Sequence, residues 1–288
     1  MRKRIDPLIE ERAPWLFRDD PFSPVLRRFL ERKLSYEITL QVAEQIEHYT
    51  TGNIMAEMGW RIAQDVEASG FHNLPAEGAA LIVANHPTGI ADGIVLHSVL
   101  ARKRQDTFFF ANADILRILP QMASLIVPVE WREERRTHHK TKETFAQTAR
   151  ALEAGKLGVI FPSGRIAKRR GARLYEREWM SSAAMIARNF DVPVIPVNIQ
   201  ARNSVLFYLL DLIHPTLRNI TLFHETLNKD RQPFRVRIGT PINPRSLPHH
   251  SASSTMLLRQ ETLALAGRDG PYVSLVRSTL FLKKLKLI

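Results

Sequence analysis

The stretch LIVANHPTGIADG, residues 81–93, decides the fold. Its first half is an apolar run that ends at Asn85-His86, and a Pro-Thr-Gly turn then leads into a helix that we expect to begin near Ile90. A strand followed by a short turn and a helix is typical of α/β layer folds with a parallel sheet. In open α/β sheets the reactive groups collect beyond the carboxyl ends of the strands, which is where His86 stands.

The same alternation of strand and helix continues along the chain. Expected strands cover Ala80–Ala84, Thr107–Ala111, Leu125–Val129, Leu157–Phe161, Val194–Ile199 and Phe234–Ile238. Expected helices cover Ile90–Arg102, Lys142–Glu153, Arg177–Phe190 and Ser204–Leu212. This order predicts an α/β fold with a central, largely parallel, twisted sheet flanked by helices. We expect the aromatic run Phe108–Phe110 to belong to a buried strand rather than to line an acyl channel.

The pattern predicts three regions: a helical N-terminal extension (1–74), an α/β core (75–245) and a C-terminal helical region (246–288). Residues 1–23 are polar and punctuated by prolines, so we expect them to be loosely held. Residues 25–50 and 53–68 are expected to be surface helices, because apolar residues recur there at helical spacing between charged faces.

The composition excludes several kinds of chemistry. The chain has 288 residues, no cysteine and a formal charge of 41 − 29 = +12. Without cysteine there is no disulfide, no zinc–cysteine or iron–sulfur site and no thiol nucleophile, which fits a reducing compartment. Adjacent histidines such as His138 and His139 rarely chelate one ion, so we predict no metal site. The basic charge favours anionic partners: nucleic acid, acidic lipid headgroups or an acidic carrier protein.

Membrane-spanning and secretory segments are not expected. The apolar runs of the chain fall short of the roughly 18–20 residues that a spanning helix needs. The basic start MRKRIDP is not followed by an apolar stretch of the kind found in signal peptides. We therefore expect a protein that is soluble or lies on a membrane surface.

His86 and Asp92 form a candidate catalytic pair. A carboxylate beside an imidazole fixes its tautomer and stabilises the imidazolium, so His86 is a candidate general base and Asp92 its orienting group. With neither a well-placed serine nor a cysteine at hand, the hydroxyl or amine of the substrate would be activated directly. The alternative is that His86 is an ordinary loop histidine and that Asp92 is a helix N-terminal carboxylate favoured by the macrodipole.

Three further strand ends extend this motif: LIVPVEWR (125–132), IFPSGR (160–165) and VPVIPVN (192–198). The four segments, in this order, resemble the PlsC-like phospholipid and glycerol acyltransferase family over about residues 75–240. The pattern of that family is Asn-His-x4-Asp, a strand ending in arginine, Phe-Pro-Glu-Gly-Thr-Arg, and Val-Pro-Val-x-Pro-Val.

The resemblance implies transfer of a fatty acyl group from an acyl-CoA or acyl-carrier-protein thioester, used as co-substrate without another cofactor, to a lysolipid hydroxyl. It implies His86 and Asp92 as the catalytic pair. The residues implied in substrate binding are Arg132, Ser163, Gly164 and Arg165. Backbone N–H groups around Gly164 are expected as oxyanion donors.

The chain departs from the family pattern at two points. Five residues separate His86 and Asp92 instead of four, a form similar to the haemolysin-like acyltransferase subgroup. Ser163 replaces the glutamate of the third motif, and Arg165 comes one residue early. We therefore expect glycerol 3-phosphate to be a poor acceptor and a lysolipid, such as an amino-acid-containing lyso-ornithine lipid, to be preferred. The alternative is that Arg132 and the basic segment 168–173 bind phosphate and that lysophosphatidic acid is accepted normally.

Two basic segments suggest partners. RIAKRRGAR (165–173) fits a dock for anionic headgroups, CoA phosphates or acyl carrier protein, or else a solvated loop. Residues 272–288 are basic and amphipathic, which suits an interfacial helix at an anionic membrane or a helix packed on the domain. We expect a bacterial, peripheral enzyme on the cytoplasmic face of the inner membrane. The rivals are a non-catalytic lipid-binding scaffold and, without any recognisable motif, a nucleic-acid-binding protein.

Overall fold

The computed structural model describes residues 1–130, 137–213, 215–229, 232–267 and 270–275. Its strands are β1 (Val66–Ser69), β2 (Ala80–Ala84), β3 (Thr107–Asn112), β4 (Ile126–Val129), β5 (Leu157–Ile160), β6 (Lys168–Arg170), β7 (Arg173–Tyr175), β8 (Val194–Gln200), β9 (Phe234–Ile238) and β10 (Tyr272–Ser274).

The helices that precede and surround the first half of the sheet are α1 (Arg2–Arg12), α2 (Ser23–Lys33), α3 (Tyr36–Ile46), α4 (Thr51–Ile62), α5 (Ile90–Leu100), α6 (Asp114–Ile118) and α7 (His138–Glu153). Those of the second half are α8 (Ser182–Asn189), α9 (Val205–Ile213), α10 (Pro215–Ile220), α11 (Leu222–Leu227) and α12 (Ser251–Ala264). No helix of the described residues has both the length and the apolar character needed to cross a membrane.

A seven-stranded sheet in the order β1-β9-β8-β2-β5-β3-β4 forms the centre of the molecule. Neighbouring strands run parallel except for β8 and β9, which are antiparallel. The expected α/β fold with a largely parallel sheet is thus confirmed. A smaller antiparallel sheet, β10-β7-β6, stands apart from it.

β2 is the central strand and is buried on both faces. Ala80, Ile82 and Ala84 pack into an apolar cluster with α4 and α5, whereas Leu81 and Val83 pack into a second cluster with α8. Each of these side chains is inaccessible to solvent, as expected for a parallel strand covered by helices on both sides. The flanking strands β5 and β8 run parallel to β2, so the turns that follow all three strands meet at one edge of the sheet.

The N-terminal extension differs from the prediction. The expectation of a loosely held segment 1–23 is wrong, because α1 begins at Arg2 and buries Ile5 and Leu8 in the cluster beneath the sheet. The helix expected over 25–50 is two helices, separated where Ser35 adopts a left-handed conformation (φ 52°). The helix expected over 53–68 ends at Ile62.

β1 follows α4 and lies within the predicted extension 1–74, but it pairs in parallel with β9. It was missed because it is short and half-exposed, and its partner lies far along the chain. The division into extension, core and C-terminal region stays a prediction, with a strand of the central sheet inside the first region.

Other elements lie close to their predicted positions. The run Phe108–Phe110 is a buried part of β3, as predicted. The helix expected over 177–190 begins only at Ser182. The basic segment 168–173 is an antiparallel hairpin rather than a loop, and Gly171 at its turn has a φ of 57°.

Candidate active site

The turn after β2 places an imidazole against a buried carboxylate. The Nδ1 atom of His86 lies 2.9 Å from Oδ2 of Asp92. The two atoms are thus in contact at ion-pair distance, although the angle at Nδ1 does not meet hydrogen-bond geometry. Because Nδ1 faces the carboxylate, Nε2 is the nitrogen left to exchange a proton with a substrate.

Asp92 is held by the turn in which it lies. Its carboxylate is fully buried and accepts hydrogen bonds from the backbone N–H groups of Thr88 (2.8 Å) and Gly89 (3.0 Å) and from the Thr88 hydroxyl (2.5 Å). Asp92 also occupies the first turn of α5, where the helix dipole favours a negative charge. Gly89 has a φ of 100°, and a Cβ there would lie only 3.0 Å from Ile166, so the turn requires glycine.

His86 is held by residues from outside its own turn. Its backbone N–H donates to Oε2 of Glu176 (3.0 Å), and its carbonyl accepts from the N–H of Ala167 (2.8 Å). The ring stacks on Phe161, with centroids 4.4 Å apart and an interplanar angle of 27°. The side chain remains 18% exposed, so the imidazole is fixed and still reachable from solvent.

Asn85 ties the end of β2 to β8. Its side-chain amide donates to the carbonyl of Ile199 (2.9 Å) and accepts from the N–H of the same residue (2.7 Å). Asn85 is almost fully buried, and the two hydrogen bonds continue the pairing of the strands past their last backbone contact. The residue before His86 is thereby fixed in position.

The third motif lies beside this turn, because β5 is the neighbour of β2. Ser163 is buried, and its hydroxyl donates to the carbonyl of Arg165 (2.9 Å). The N–H of Gly164 donates to the carbonyl of Phe161 (2.9 Å), so it is engaged within the turn instead of being free as the expected oxyanion donor. The side chain of Arg165 is exposed. The substrate-binding roles of these residues stay predictions.

Two predicted segments lie wholly or mostly outside the described residues. Arg132 falls in the undescribed range 131–136. Of the predicted C-terminal stretch 272–288, residues 276–288 are undescribed. The described start of that stretch, Tyr272–Ser274, is strand β10 and not the beginning of an interfacial helix. The described part of the chain contains no group of three or more metal-ligating side chains.

Glu176 is a functional candidate that sequence reasoning missed. Its carboxylate is buried and accepts hydrogen bonds from the N–H of His86 and from Nε1 of Trp179 (2.9 Å). Burial raises the pKa of Glu176, against the lowering effect of these hydrogen bonds and of one with Ser163. No local pattern marks this residue, because it follows a short strand of the small sheet and reaches the site through the fold.

A buried polar network continues from the site on its other side. The side chain of Asn203, which follows β8, donates to the carbonyl of Thr88 (3.2 Å). Nζ of Lys229 donates to Oδ1 of Asn203 (2.7 Å) and lies 3.3 Å from Oε2 of Glu225. Burial lowers the pKa of Lys229 to about 8, and the charges of Glu225 and Asp92 oppose that shift. Sequence reasoning missed these three residues as well.

The part of the chain that holds His86 and Asp92 is similar to known proteins. A family model described as Acyltransferase matches residues 65–200. A lyso-glycine lipid O-acyltransferase of Phocaeicola vulgatus is 28% identical over 187 residues, which covers 62% of this chain and 64% of the relative. The protein of the same description from Bacteroides thetaiotaomicron is 28% identical over 183 residues, covering 62% and 65%.

This chain thus spans slightly less than two thirds of the length of these two relatives. Among solved structures, the 1-acyl-sn-glycerophosphate (LPA) acyltransferase PlsC from Thermotoga maritima aligns with a TM-score of 0.46 at 15% identity. That alignment covers 92% of this chain and 96% of the other.

Proposed function

We propose that this protein is an O-acyltransferase that moves a fatty acyl group from an acyl-CoA or acyl-carrier-protein thioester to the hydroxyl of a lysolipid. The observation that carries the proposal is the 2.9 Å contact between His86 and the buried Asp92, at a strand end within the segment that matches the acyltransferase family. A solvent-reachable imidazole backed by a buried carboxylate is suited to general-base catalysis.

The reaction follows from the chemistry of the pair. Nε2 of His86 removes the proton of the acceptor hydroxyl while the acceptor oxygen attacks the thioester carbonyl carbon. Asp92 stabilises the imidazolium that forms. When the tetrahedral intermediate collapses, the C–S bond breaks, and the proton on His86 passes to the departing sulfur to give the free thiol. The acyl group is then an ester of the acceptor, and His86 is neutral again.

A lysolipid with an amino-acid headgroup is the proposed acceptor class. Ser163 stands where the resembled family has a glutamate, which argues against the usual handling of glycerol 3-phosphate. The two bacterial relatives are described as acting on lyso-glycine lipid, which supports an amino-acid-containing acceptor for this chain. Acceptors of this class carry an anionic carboxylate, which the exposed basic residues of the 165–173 segment would attract.

The proposed location is the surface of the membrane that holds the acceptor, on its cytoplasmic face. Large apolar side chains are exposed on and just before α2 and along α9. Leu30 of α2 and Leu210 of α9 belong to one apolar cluster, so the two helices are neighbours. Exposed basic residues on α2 include Arg28, Arg32 and Lys33. Apolar side chains interleaved with basic ones are typical of surfaces that lie in an anionic lipid interface.

Substitution of the catalytic pair tests the mechanism. His86→Ala removes the general base, so acyl transfer should fall by about 10²–10⁴-fold, and Asp92→Asn should lose part of the rate with the orienting charge. The measurement is transfer of a labelled acyl group from acyl-CoA and from acyl carrier protein to a panel of lysolipids. His72→Ala, at an exposed histidine, is the matched control and should keep wild-type activity. Undiminished transfer by folded His86→Ala contradicts the mechanism, and lipid binding without turnover by the wild type favours a non-catalytic scaffold.

A competition assay tests the acceptor. Glycerol 3-phosphate, lysophosphatidic acid, lyso-glycine lipid and lyso-ornithine lipid are offered together at equal concentration with one labelled thioester. We expect the amino-acid lysolipids to be acylated fastest. Fastest turnover of glycerol 3-phosphate or lysophosphatidic acid contradicts the proposed acceptor while leaving the acyl-transfer mechanism intact.

A further inference from the structure

Glu176 lies beside the active site, and the proposed mechanism gives it no role. It is 7% exposed, yet it follows β7 of the small sheet and not a strand of the central sheet. Taking a carboxylate out of water costs several kcal/mol unless hydrogen bonds compensate for it. A carboxylate kept at such a position needs an explanation in terms of what it contacts.

Its side-chain contacts are to His86 of the catalytic turn, to Trp179 and to Ser163. One oxygen accepts the backbone N–H of His86 at 3.0 Å, and the other accepts Nε1 of Trp179 at 2.9 Å. The Ser163 side chain lies near enough to the carboxyl to lower its pKa. Glu176 therefore joins the turn after β2 to the turn after β5, the two segments that meet at the imidazole.

Two further contacts hold His86 at the same place. Its carbonyl accepts from the N–H of Ala167, and its ring rests on Phe161. Of these anchors, Glu176 is the one supplied by an ionisable side chain. A shift of His86 of even 1 Å changes the distance from Nε2 to the acceptor hydroxyl, and such misplacement can cost about 100-fold in rate.

We propose that Glu176 is the positioning residue for His86, its carboxyl holding the catalytic turn against the third-motif turn at Ser163. This inference rests on the proposed acyltransferase function. It also accounts for the serine of the third motif. The short Ser163 side chain leaves room for a carboxyl that arrives from residue 176, so the chain retains an acidic group at this junction despite lacking one at position 163.

The experiment compares Glu176→Ala, Glu176→Gln, the double variant Ser163→Glu/Glu176→Ala and the control Glu178→Gln. Glu178 is an exposed carboxylate two residues away. Folding is checked first by circular dichroism and thermal unfolding, and kcat and KM are measured for the folded fraction. In parallel, the His86 imidazole is followed by NMR of histidine-labelled protein during a pH titration.

A positioning role predicts that Glu176→Ala lowers kcat by up to about 100-fold with little change in KM. It predicts a smaller loss in Glu176→Gln, which keeps one acceptor oxygen, and partial recovery of kcat in the double variant, which returns a carboxylate to the junction. The imidazole signal of His86 should shift in both single variants, whereas Glu178→Gln should match the wild type in every measurement.

The proposal is overturned if folded Glu176→Gln and Glu176→Ala both keep wild-type kcat and an unchanged His86 titration. If Glu176→Ala does not fold, the Gln variant and the double variant still decide. The NMR arm separates this proposal from the function on which it rests. A wild-type protein without acyl transfer to any acceptor counts against the function, and a displaced His86 signal in the Glu176 variants still supports the positioning role.

Discussion

His86 is held at four points by four different residues, two of which contact its ring and two its backbone. Asp92 contacts Nδ1, Glu176 and Ala167 engage the backbone N–H and carbonyl, and Phe161 covers one face of the ring. A catalytic group fixed by several independent contacts needs little reorganisation before reaction. The free Nε2 edge is thus the part of the residue that the fold leaves for substrate.

The buried carboxyl of Glu176 makes the stability of the protein depend on pH. Its pKa is raised above the usual 4.5, mainly by burial, so the folded state binds its proton more tightly than the unfolded state. The stability that this proton contributes is fully present below about pH 4.5 and is lost as the pH rises through the raised pKa of the folded state. Glutamine cannot ionise, so Glu176→Gln lacks this contribution to the pH dependence. The difference in free energy of unfolding, wild type minus variant, should therefore decrease as the pH rises above about 4.5. Urea unfolding of both proteins over a pH series measures this difference, and a flat difference contradicts it.

Sequence reasoning reached the parts of the site that are close together along the chain. His86 and Asp92 belong to one turn, so their proximity follows from local geometry. Glu176 and Asn203 contact the same turn across about 90 and 115 residues of sequence, and only the order of strands in the sheet brings them there. Such long-range partners carry no periodic signal of their own.

At the scale of elements, the strands most readily predicted from sequence are those whose side chains are buried on both faces, such as β2 and β8. An unbroken apolar run identifies such a strand without reference to its neighbours. Four other strands are short and partly exposed: β1, β6, β7 and β10. They are recognised as strands by the neighbouring strand with which each pairs. Residues 1–23 were predicted wrongly because Pro7 and Pro14 resemble loop punctuation, whereas Pro7 is inside α1.

A second buried ion pair joins Glu225 of α11 to Lys229, two residues after the end of that helix. Both side chains are almost inaccessible to solvent, and Glu225 also accepts the N–H and hydroxyl hydrogens of Ser204. Through Asn203, this pair supports the carbonyl of Thr88 in the catalytic turn. The packing of α11 is therefore linked to the position of Asp92.

Removing one partner of this pair should be costly. Lys229→Met leaves Glu225 as an uncompensated buried charge, so we expect a loss of roughly 3–5 kcal/mol in the free energy of unfolding. The double variant Lys229→Met/Glu225→Gln keeps an acceptor for Ser204 without the charge, and it should recover much of that loss. Chemical unfolding of the wild type and both variants measures the effect. A single variant as stable as the wild type contradicts the argument.

At the scale of the whole molecule, α9 links two features. It follows the carboxyl edge of the central sheet, and it carries exposed apolar side chains. This helix follows the end of β8 after a short connection, and Phe207 within it packs into the small cluster that contains Leu174 and Ile166. Ile166 in turn lies against Gly89 of the catalytic turn. A membrane contact made by the outer face of α9 would therefore bring the lipid surface near the turn that holds His86.

The membrane-facing surface is tested by vesicle binding. Phe22→Ser/Phe29→Ser removes two exposed apolar side chains on and just before α2, and Leu209→Ser/Leu212→Ser removes two from α9. Burial of one such side chain contributes about 1.5–3 kcal/mol. We expect each pair to weaken binding to anionic vesicles at least ~10-fold. Trp60→Ser is the matched control, since Trp60 is 72% exposed on α4, and it should bind normally.

Electrostatics gives the second arm of the same experiment. Each basic side chain near an anionic surface contributes about 1 kcal/mol and is screened beyond a Debye length of roughly 8–10 Å. Binding should therefore weaken with added salt and with neutral lipid, and it should weaken further when residues 276–288, which follow β10, are removed. If the two helix variants bind like the wild type and only that truncation releases the protein, the interface lies in the C-terminal stretch and not on α2 and α9. Equal binding to neutral and anionic vesicles at all salt concentrations contradicts the electrostatic contribution.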